Sequence, residues 1–322
     1  MKAAVIYSYG APAVLQVSEI ARPSIKPDQV LVKVFASSIN PIEWKMRQGM
    51  LKLLTGNRFP ITLGFDVSGE VIEIGQQVTR FKPGDLIYAC MDQLTGGAYA
   101  EYAAVAETAA ALKPKNMRHE EAAAIPLAGM TALQALRDEG GFKAGQNVLI
   151  NGASGGVGTY AVQLAKVLGA STIVGVCSSK NASLVKRLGA DLVIDYTKQD
   201  FTKDSVKYDV VFDVVGDRSL LECRSVLQPK GIYVTTQPYP GNYLKSAFSV
   251  LWPGQRYKVV LLKSKASDLD YLKAQIEAGN VRSVIDKTYS LEQIAKAHTF
   301  AEKQRTVGKS VVAISERAYL FS

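Results

Sequence analysis

The stretch Asn151-Gly152-Ala153-Ser154-Gly155-Gly156-Val157-Gly158 constrains this chain more than any other. It ends a short apolar run, NVLINGA, and opens a segment, GGVGTYAVQLAKVLG. In that segment Val157, Ala161, Leu164, Ala165 and Leu168 fall on one helical face. Read as A-x-G-x-x-G, the key positions are Ala153, Gly155 and Gly158. A turn that holds a dinucleotide needs small residues there. The first permits the tight turn, the second lets backbone approach the pyrophosphate, and the third lets helix and strand pack closely. The helix start then offers free N–H groups and a partial positive charge to phosphates. A glycine-rich turn alone is weak, but strand, turn, helix and second strand follow here in the required order. The expected contacts are Ala153, Ser154, Gly155, Gly156, Val157 and Gly158.

The end of the second strand bears on the choice of dinucleotide. Sites for NAD usually carry Asp or Glu there, about 20 residues on. STIVGVC instead runs into Ser178, Ser179, Lys180 and Asn181, with no carboxylate until Asp191. Two hydroxyls and an ammonium suit a 2′-phosphate, so this pattern points to NADPH.

The surroundings fit an α/β chain in two parts. Strand-like runs VLVKVFA and VSGEVIEIG lie among turn signals such as Lys82-Pro83-Gly84-Asp85, which predicts an antiparallel β-rich domain. From Glu120, EEAAAIPLAGMTALQAL reads as helix with one Pro and one Gly interrupting it. Then apolar strands (NVLINGA, STIVGVC, DLVIDY, YDVVFDVVG, GIYVTT) alternate with amphipathic helices, the pattern of a doubly wound parallel sheet. Helix-like DLDYLKAQIEAG and LEQIAKAHTFAEK and a strand, KSVVAI, follow and can return to the first domain. The division expected is residues 1–122 with 263–322, and residues 123–262. With 322 residues, two domains are the natural expectation.

Three cysteines, Cys90, Cys177 and Cys223, form no C-x-x-C pair, which argues against a disulfide framework and for a reducing compartment. The amino terminus, MKAAVIYSYG, lacks the features of a secretory signal or transit peptide, and no apolar run reaches the roughly 20 residues of a membrane span. A cytoplasmic protein is expected. The net charge of +9 would suit an anionic cofactor, nucleic acid or a membrane surface. No aromatic–basic interleaving supports RNA binding, and no polybasic tail is present, which leaves at most peripheral membrane association.

Several motifs in order carry a family resemblance over nearly the whole chain. They are residues 38–45 (SINPIEWK), 64–71 (GFDVSGEV), 82–85 (KPGD), 128–133 (AGMTAL) and the glycine-rich loop. The chain resembles the zinc-independent quinone oxidoreductase branch of the medium-chain dehydrogenase/reductase family, especially chloroplast-envelope quinone oxidoreductase homologues and plant alkenal and enone reductases. That resemblance implies a GroES-like β-rich catalytic domain and a Rossmann NADP-binding domain. Zinc-dependent relatives place ligands where this chain has Asn40, Phe65 and about Ala128. Phe and Ala cannot bind zinc and Asn is a poor ligand. The two histidines, His119 and His298, lie far from these motifs and read as structural or surface residues.

Without a Lewis acid, substrates that already accept hydride are the match: quinones and α,β-unsaturated carbonyls (enones and enals). By resemblance, Asn40 would offer its amide to the substrate oxygen, or else cap the turn at Pro41, and Lys45 would touch the cofactor ribose or phosphate. Thr131, Thr235 and Thr236 would line the nicotinamide end, Tyr196 the adenosine phosphate, and Gly308 and Lys309 the pyrophosphate. Tyr99 reads as a core or turn aromatic, and Phe65 as an apolar wall where many relatives have Tyr. Substrate choice would rest on loops at residues 47–59 and 237–252. Relatives are commonly dimers, so a homodimer is expected. The alternatives are a zinc-free alcohol dehydrogenase, or a non-catalytic nucleotide-, RNA- or membrane-binding protein on the same fold.

Overall fold

The alternating run QVLVKVFASS forms the long strand β3 (Gln29–Ser38) at the centre of a largely antiparallel sheet, in which only β15 (Ile285–Ser290) and β16 (Lys309–Ala313) pair parallel among the described strands. Val30, Val32 and Val34 enter one core together with Val67, Val71, Ile87 and Val105. In this computed structural model, which describes residues 1–237 and 254–315, the chain divides into two compact units.

The first unit holds Met1–Leu127, Ser264–Ala278 and the chain from Ser283 on. A three-stranded sheet has the order β2 (Leu15–Glu19), β1 (Lys2–Ile6), β4 (Ile61–Thr62). The larger sheet runs β15 (Ile285–Ser290), β16 (Lys309–Ala313), β3, β5 (Asp66–Ile74), β6 (Leu86–Cys90), β8 (Ala110–Leu112), with β7 (Tyr102–Ala106) also on β3. A second core gathers Ile6, Met46, Leu63, Tyr99, Tyr289, Ile294 and Val312. β16 pairs antiparallel with β3 as Val311↔Ser38, Val312↔Ser37 and Ala313↔Ala36. That register fixes what stands opposite the end of β3.

After β3 the chain turns into α1 (Pro41–Arg47). Pro at the first helical position starts a helix without loss, since its missing N–H has no helical partner anyway. The segment expected as a loop at 47–59 instead contains the last residue of α1 and a short helix, α2 (Lys52–Thr55). The helical run from Glu120 is broken: α3 (His119–Ala123), α4 (Pro126–Leu133), then a π-helical stretch, Gln134–Glu139. Pro126 begins α4, where its ring is tolerated.

The second unit holds Ala128–Lys263 and Gly279–Arg282. Its six strands are all parallel: β11 (Leu192–Asp195), β10 (Thr172–Cys177), β9 (Asn147–Asn151), β12 (Tyr208–Asp213), β13 (Leu227–Thr235), β14 (Arg256–Val259). The order grows outward from β9 in both directions, so β9 lies at the topological switch point, where such sheets bind ligands. Of the loop at 237–252, residues 238–252 lie outside the described residues.

Candidate functional site

The glycine-rich loop leaves β9 and enters α5 (Gly156–Val167). The left-handed residue of the turn is Gly152, with φ +85°. Spacing had given that part to Ala153, but Ala153 is fully buried and its N–H joins that of Gly152 on the Val176 carbonyl, at 3.0 and 3.1 Å. The turn therefore hooks the loop onto β10. A Cβ on Gly158 would lie 2.1 Å from the Gly152 carbonyl oxygen, so α5 packs on the turn only through a hydrogen. At Gly155 a Cβ would meet nothing nearer than 3.4 Å, so the fold does not demand glycine there.

Gly155 is the N-cap of α5, and it supplies no side-chain oxygen to the first turn, which also lacks any acidic residue. The amides at the head of this 12-residue helix thus have neither a side-chain cap nor a competing carboxylate. Such a head accommodates a pyrophosphate. Beneath it, Asp213 at the end of β12 is buried. It accepts from Asn151 Nδ2 at 2.9 Å, Gly216 N–H at 2.8 Å and Tyr233 Oη at 2.6 Å. Burial raises its pKa, and these hydrogen bonds oppose the rise. Asp213 so ties the loop after β12 to the strand that carries the glycines.

At the end of β10, Ser178 is half-buried while Ser179 and Lys180 are exposed. Ser154 accepts from Asn181 Nδ2 at 3.1 Å, which joins the two loops. One residue escaped the sequence reading. β11 pairs with β10 as Cys177↔Asp195, which sets a carboxylate beside the serines although none follows them in the chain. Asp195 is already engaged: Oδ1 accepts from the N–H and Oγ1 of Thr197 at 3.0 and 2.8 Å, and Ser179 donates to it as well. Those bonds, led by the Thr197 hydroxyl, hold its pKa below the usual value. Tyr196 is exposed. Thr131 and Thr235 are buried, and Thr236 Oγ1 donates to the Val214 carbonyl at 3.0 Å.

The first unit contains a different cluster, which the sequence reading did not assemble. Asn40 is the N-cap of α1 and is buried. Its Nδ2 donates to Glu43 Oε1 at 3.0 Å and to Asp66 Oδ2 at 2.8 Å, and its Oδ1 accepts from Lys309 Nζ at 2.5 Å. An amide has two protons to give. Both are used within this cluster, with Asn40 standing as the N-cap residue of α1. Glu43 reaches back to the Asn40 backbone N–H, and also accepts from Phe65 N–H at 3.1 Å and Tyr99 Oη at 2.8 Å. Tyr99 is a core aromatic, as read, but its hydroxyl belongs to this cluster. Asp66 further accepts from Ser38 Oγ at 2.5 Å and from Leu127 N–H at 2.7 Å. Burial raises the pKa of Glu43 from 4.5 to about 7, against the pull of the Asn40 hydrogen bonds and Lys309. The Asn40-x-x-Glu43 spacing is a capping-box signature and was the one sequence signal for this carboxylate.

Lys309, expected at the pyrophosphate, runs into the first unit. It is buried, donating to Asn40 and, at 3.0 Å, to the Ile39 carbonyl. Gly308 has φ +72°, and a Cβ there would strike the Val284 carbonyl oxygen at 2.2 Å, which explains the glycine from within the unit. Lys45 lies on α1 and is half-buried, and burial lowers its pKa. Its ammonium sits 5.7 Å from the Trp44 ring centre and has no hydrogen bond or ion pair with the described residues. Neither histidine is far from the motifs in space. His119 Nδ1 lies 2.8 Å from Ser68 Oγ, and His298 is buried, 3.4 Å from Arg47 Nε and edge-on to Tyr99. Phe65 packs against both cores of the first unit. Among the described residues no group of three or more His, Cys, Asp or Glu is arranged to hold a metal ion.

A glycine-rich loop at the switch point of a parallel sheet, in a chain whose other unit is a largely antiparallel β domain, defines a nucleotide-dependent dehydrogenase or reductase of two-domain type. The family description "Alcohol dehydrogenase GroES-like domain" matches residues 26–115, and "Zinc-binding dehydrogenase" matches residues 188–312. The chain belongs to the medium-chain dehydrogenase/reductase family, in its quinone oxidoreductase branch. It is 39% identical to the 2-methylene-furan-3-one reductase of Solanum lycopersicum, over 97% of this chain and 79% of that one. It is also 39% identical to the chloroplastic NADPH-dependent alkenal/one oxidoreductase of Arabidopsis thaliana, with the same coverage. The solved structure of the quinone oxidoreductase from Coxiella burnetii superposes with a TM-score of 0.90 at 32% identity, covering 98% of this chain and 99% of that one.

Proposed function

We propose that this chain is an NADPH-dependent reductase that transfers hydride to quinones or α,β-unsaturated carbonyls without a metal ion. The observation that carries the reading is the uncapped head of α5 behind Gly155, with Ser178, Ser179 and Lys180 at the neighbouring strand end. Relatives named for NADPH-dependent reduction of alkenals and enones, and for quinone oxidoreduction, support it. NADPH supplies the hydride when bound. The backbone amides from Gly156 to Gly158 hold the pyrophosphate, and Ser178, Ser179, Lys180 and Tyr196 face the adenosine end. Thr131, Thr235 and Thr236 belong to the nicotinamide end. Lys45, its ammonium free and its pKa lowered, is the cation set against the cofactor ribose or phosphate. Quinones and enones need no strong Lewis acid, because the negative charge formed on reduction spreads onto oxygen.

The reading includes a homodimer: β14 ends the strand order of its sheet and has a strand partner on one side only among the described residues. It also includes a cytoplasmic location with at most peripheral membrane contact. Cys90, Cys177 and Cys223 are free and buried, and no helix among the described residues is long and apolar enough to cross a membrane.

The test follows NADPH absorbance at 340 nm with a panel of small quinones and enones, with and without a strong chelator. Turnover unaffected by the chelator is expected. Tight NADPH binding with no turnover across the panel would leave only a nucleotide-binding protein, and chelator-sensitive turnover would bring a metal back.

A further inference from the structure

We propose that Lys309 is an internal cation that positions the start of α1, and not a ligand for the phosphates of the dinucleotide. The antiparallel register Val311↔Ser38, continued two residues past the end of β3, sets Lys309 opposite Asn40. The Ile39 N–H donates to the Ser310 carbonyl at 2.9 Å in the same register. From there the lysine side chain runs inward, 4% exposed, toward an Asp66 side chain that is 0% exposed.

An ammonium has three protons to donate. Three acceptors of the first unit surround Nζ: Asn40 Oδ1 at 2.5 Å, the Ile39 carbonyl at 3.0 Å and Asp66 Oδ2 at 3.7 Å. Two hydrogen bonds and one ion pair within the first unit thus engage the ammonium. The cluster also needs a positive charge, since the buried Asp66 carboxylate shares the Asn40 amide with Glu43. Burying such a charge without a cation is costly. Asn40 and Ile39 are the last residues before α1, so Lys309 fixes the point from which the helix, with Trp44 and Lys45, sets out.

The kinetic half of this inference rests on the reductase reading, and the spectroscopic half does not. The experiment uses the full chain carrying Lys309→Ala in a Trp252→Phe background, where Trp44 alone reports on α1. NADPH affinity should stay within about twofold of the parent, while kcat with an enone falls about tenfold or more. The Trp44 emission maximum should move. A rise in the NADPH Kd of about tenfold with unchanged Trp44 emission would overturn the proposal in favour of a phosphate contact. So would a kcat within twofold of the parent. If the parent itself does not turn over, the reductase reading falls, and Trp44 emission still decides the role of Lys309. Should Lys309→Ala fail to fold, Lys309→Met and Lys309→Met/Asp66→Asn keep the question open to measurement. Removing one partner of a buried pair strands the other charge, whereas removing both does not, so the double variant should melt about 5 °C or more above the single one. A double variant no more stable than the single one overturns the pairing.

Discussion

At the scale of the residue, the glycine-rich loop separates two reasons for lacking a side chain. Gly158 faces backbone: a Cβ there would overlap the Gly152 carbonyl oxygen. Gly158→Ala must push α5 away from its turn, at about 1–3 kcal/mol of stability. Gly155 faces open space and has an ordinary φ of −83°. Gly155→Ala should therefore melt within about 0.5 kcal/mol of the parent. Its methyl group would stand at the helix head where the pyrophosphate is expected, so NADPH binding should weaken about tenfold or more. Thermal melts and fluorescence titration of both variants check the contrast. A Gly155→Ala protein that binds NADPH normally would show that the amides behind it are not the phosphate site. The spacing of the loop announced close packing at Gly158, because a helix that follows a strand after one turn always needs it there. It misplaced the tight turn, since only φ shows that Gly152 rather than Ala153 is left-handed.

At the scale of the element, order was legible in the chain and juxtaposition was not. Periodicity marks β3, β9, α5 and β10 because one buried face repeats at a fixed spacing. The Asn40–Asp66–Lys309 cluster joins positions 26 and 269 residues apart, and only the pairings of β16 and β5 with β3 bring them together. The same holds for Arg47 on α1, which meets His298 on the helix Ile294–Ala301, 251 residues away. These two helices make opposite demands on pH. Glu43 rises from 4.5 to about 7, chiefly through burial, so the folded chain keeps a proton that the unfolded chain releases between those values. Its contribution is full below pH 4.5 and lost as pH rises through 7. His298 falls from 6.5 to about 3, through burial and the neighbouring Arg47, so the folded chain refuses a proton that the unfolded chain takes up. Its contribution is full above pH 6.5 and lost as pH falls toward 3. Between pH 4.5 and 6.5 the two cancel. Glu43→Gln should remove one side of the balance, so that its stability, relative to the parent, climbs with pH across that window by about 1.4 kcal/mol per unit. His298→Gln should tilt the same window the other way. Parallel melting curves for parent and Glu43→Gln between pH 4.5 and 6.5 would sink the argument.

At the scale of the whole molecule, the excess of 38 Lys and Arg over 29 Asp and Glu acts on any anion that approaches. The extra phosphate of NADPH adds up to about two negative charges relative to NADH. A net charge of +9 should thus favour NADPH at long range, in addition to any contact with Ser178, Ser179 and Lys180. Salt separates the two effects. The screening length is about 30 Å at 0.01 M and about 3 Å at 1 M, so high salt removes the long-range share and leaves the contacts. The ratio of kcat/KM for NADPH over NADH should fall as salt rises, then level off well above one. Lys180→Ala should lower the plateau at 1 M by about tenfold, the loss of one charge-assisted phosphate contact, while part of the preference returns at 0.01 M. If Lys180→Ala keeps the parent's ratio at 1 M salt, the exposed end of β10 does not read the phosphate. Discrimination between the two dinucleotides would then belong to Tyr196 or to residues outside this strand end.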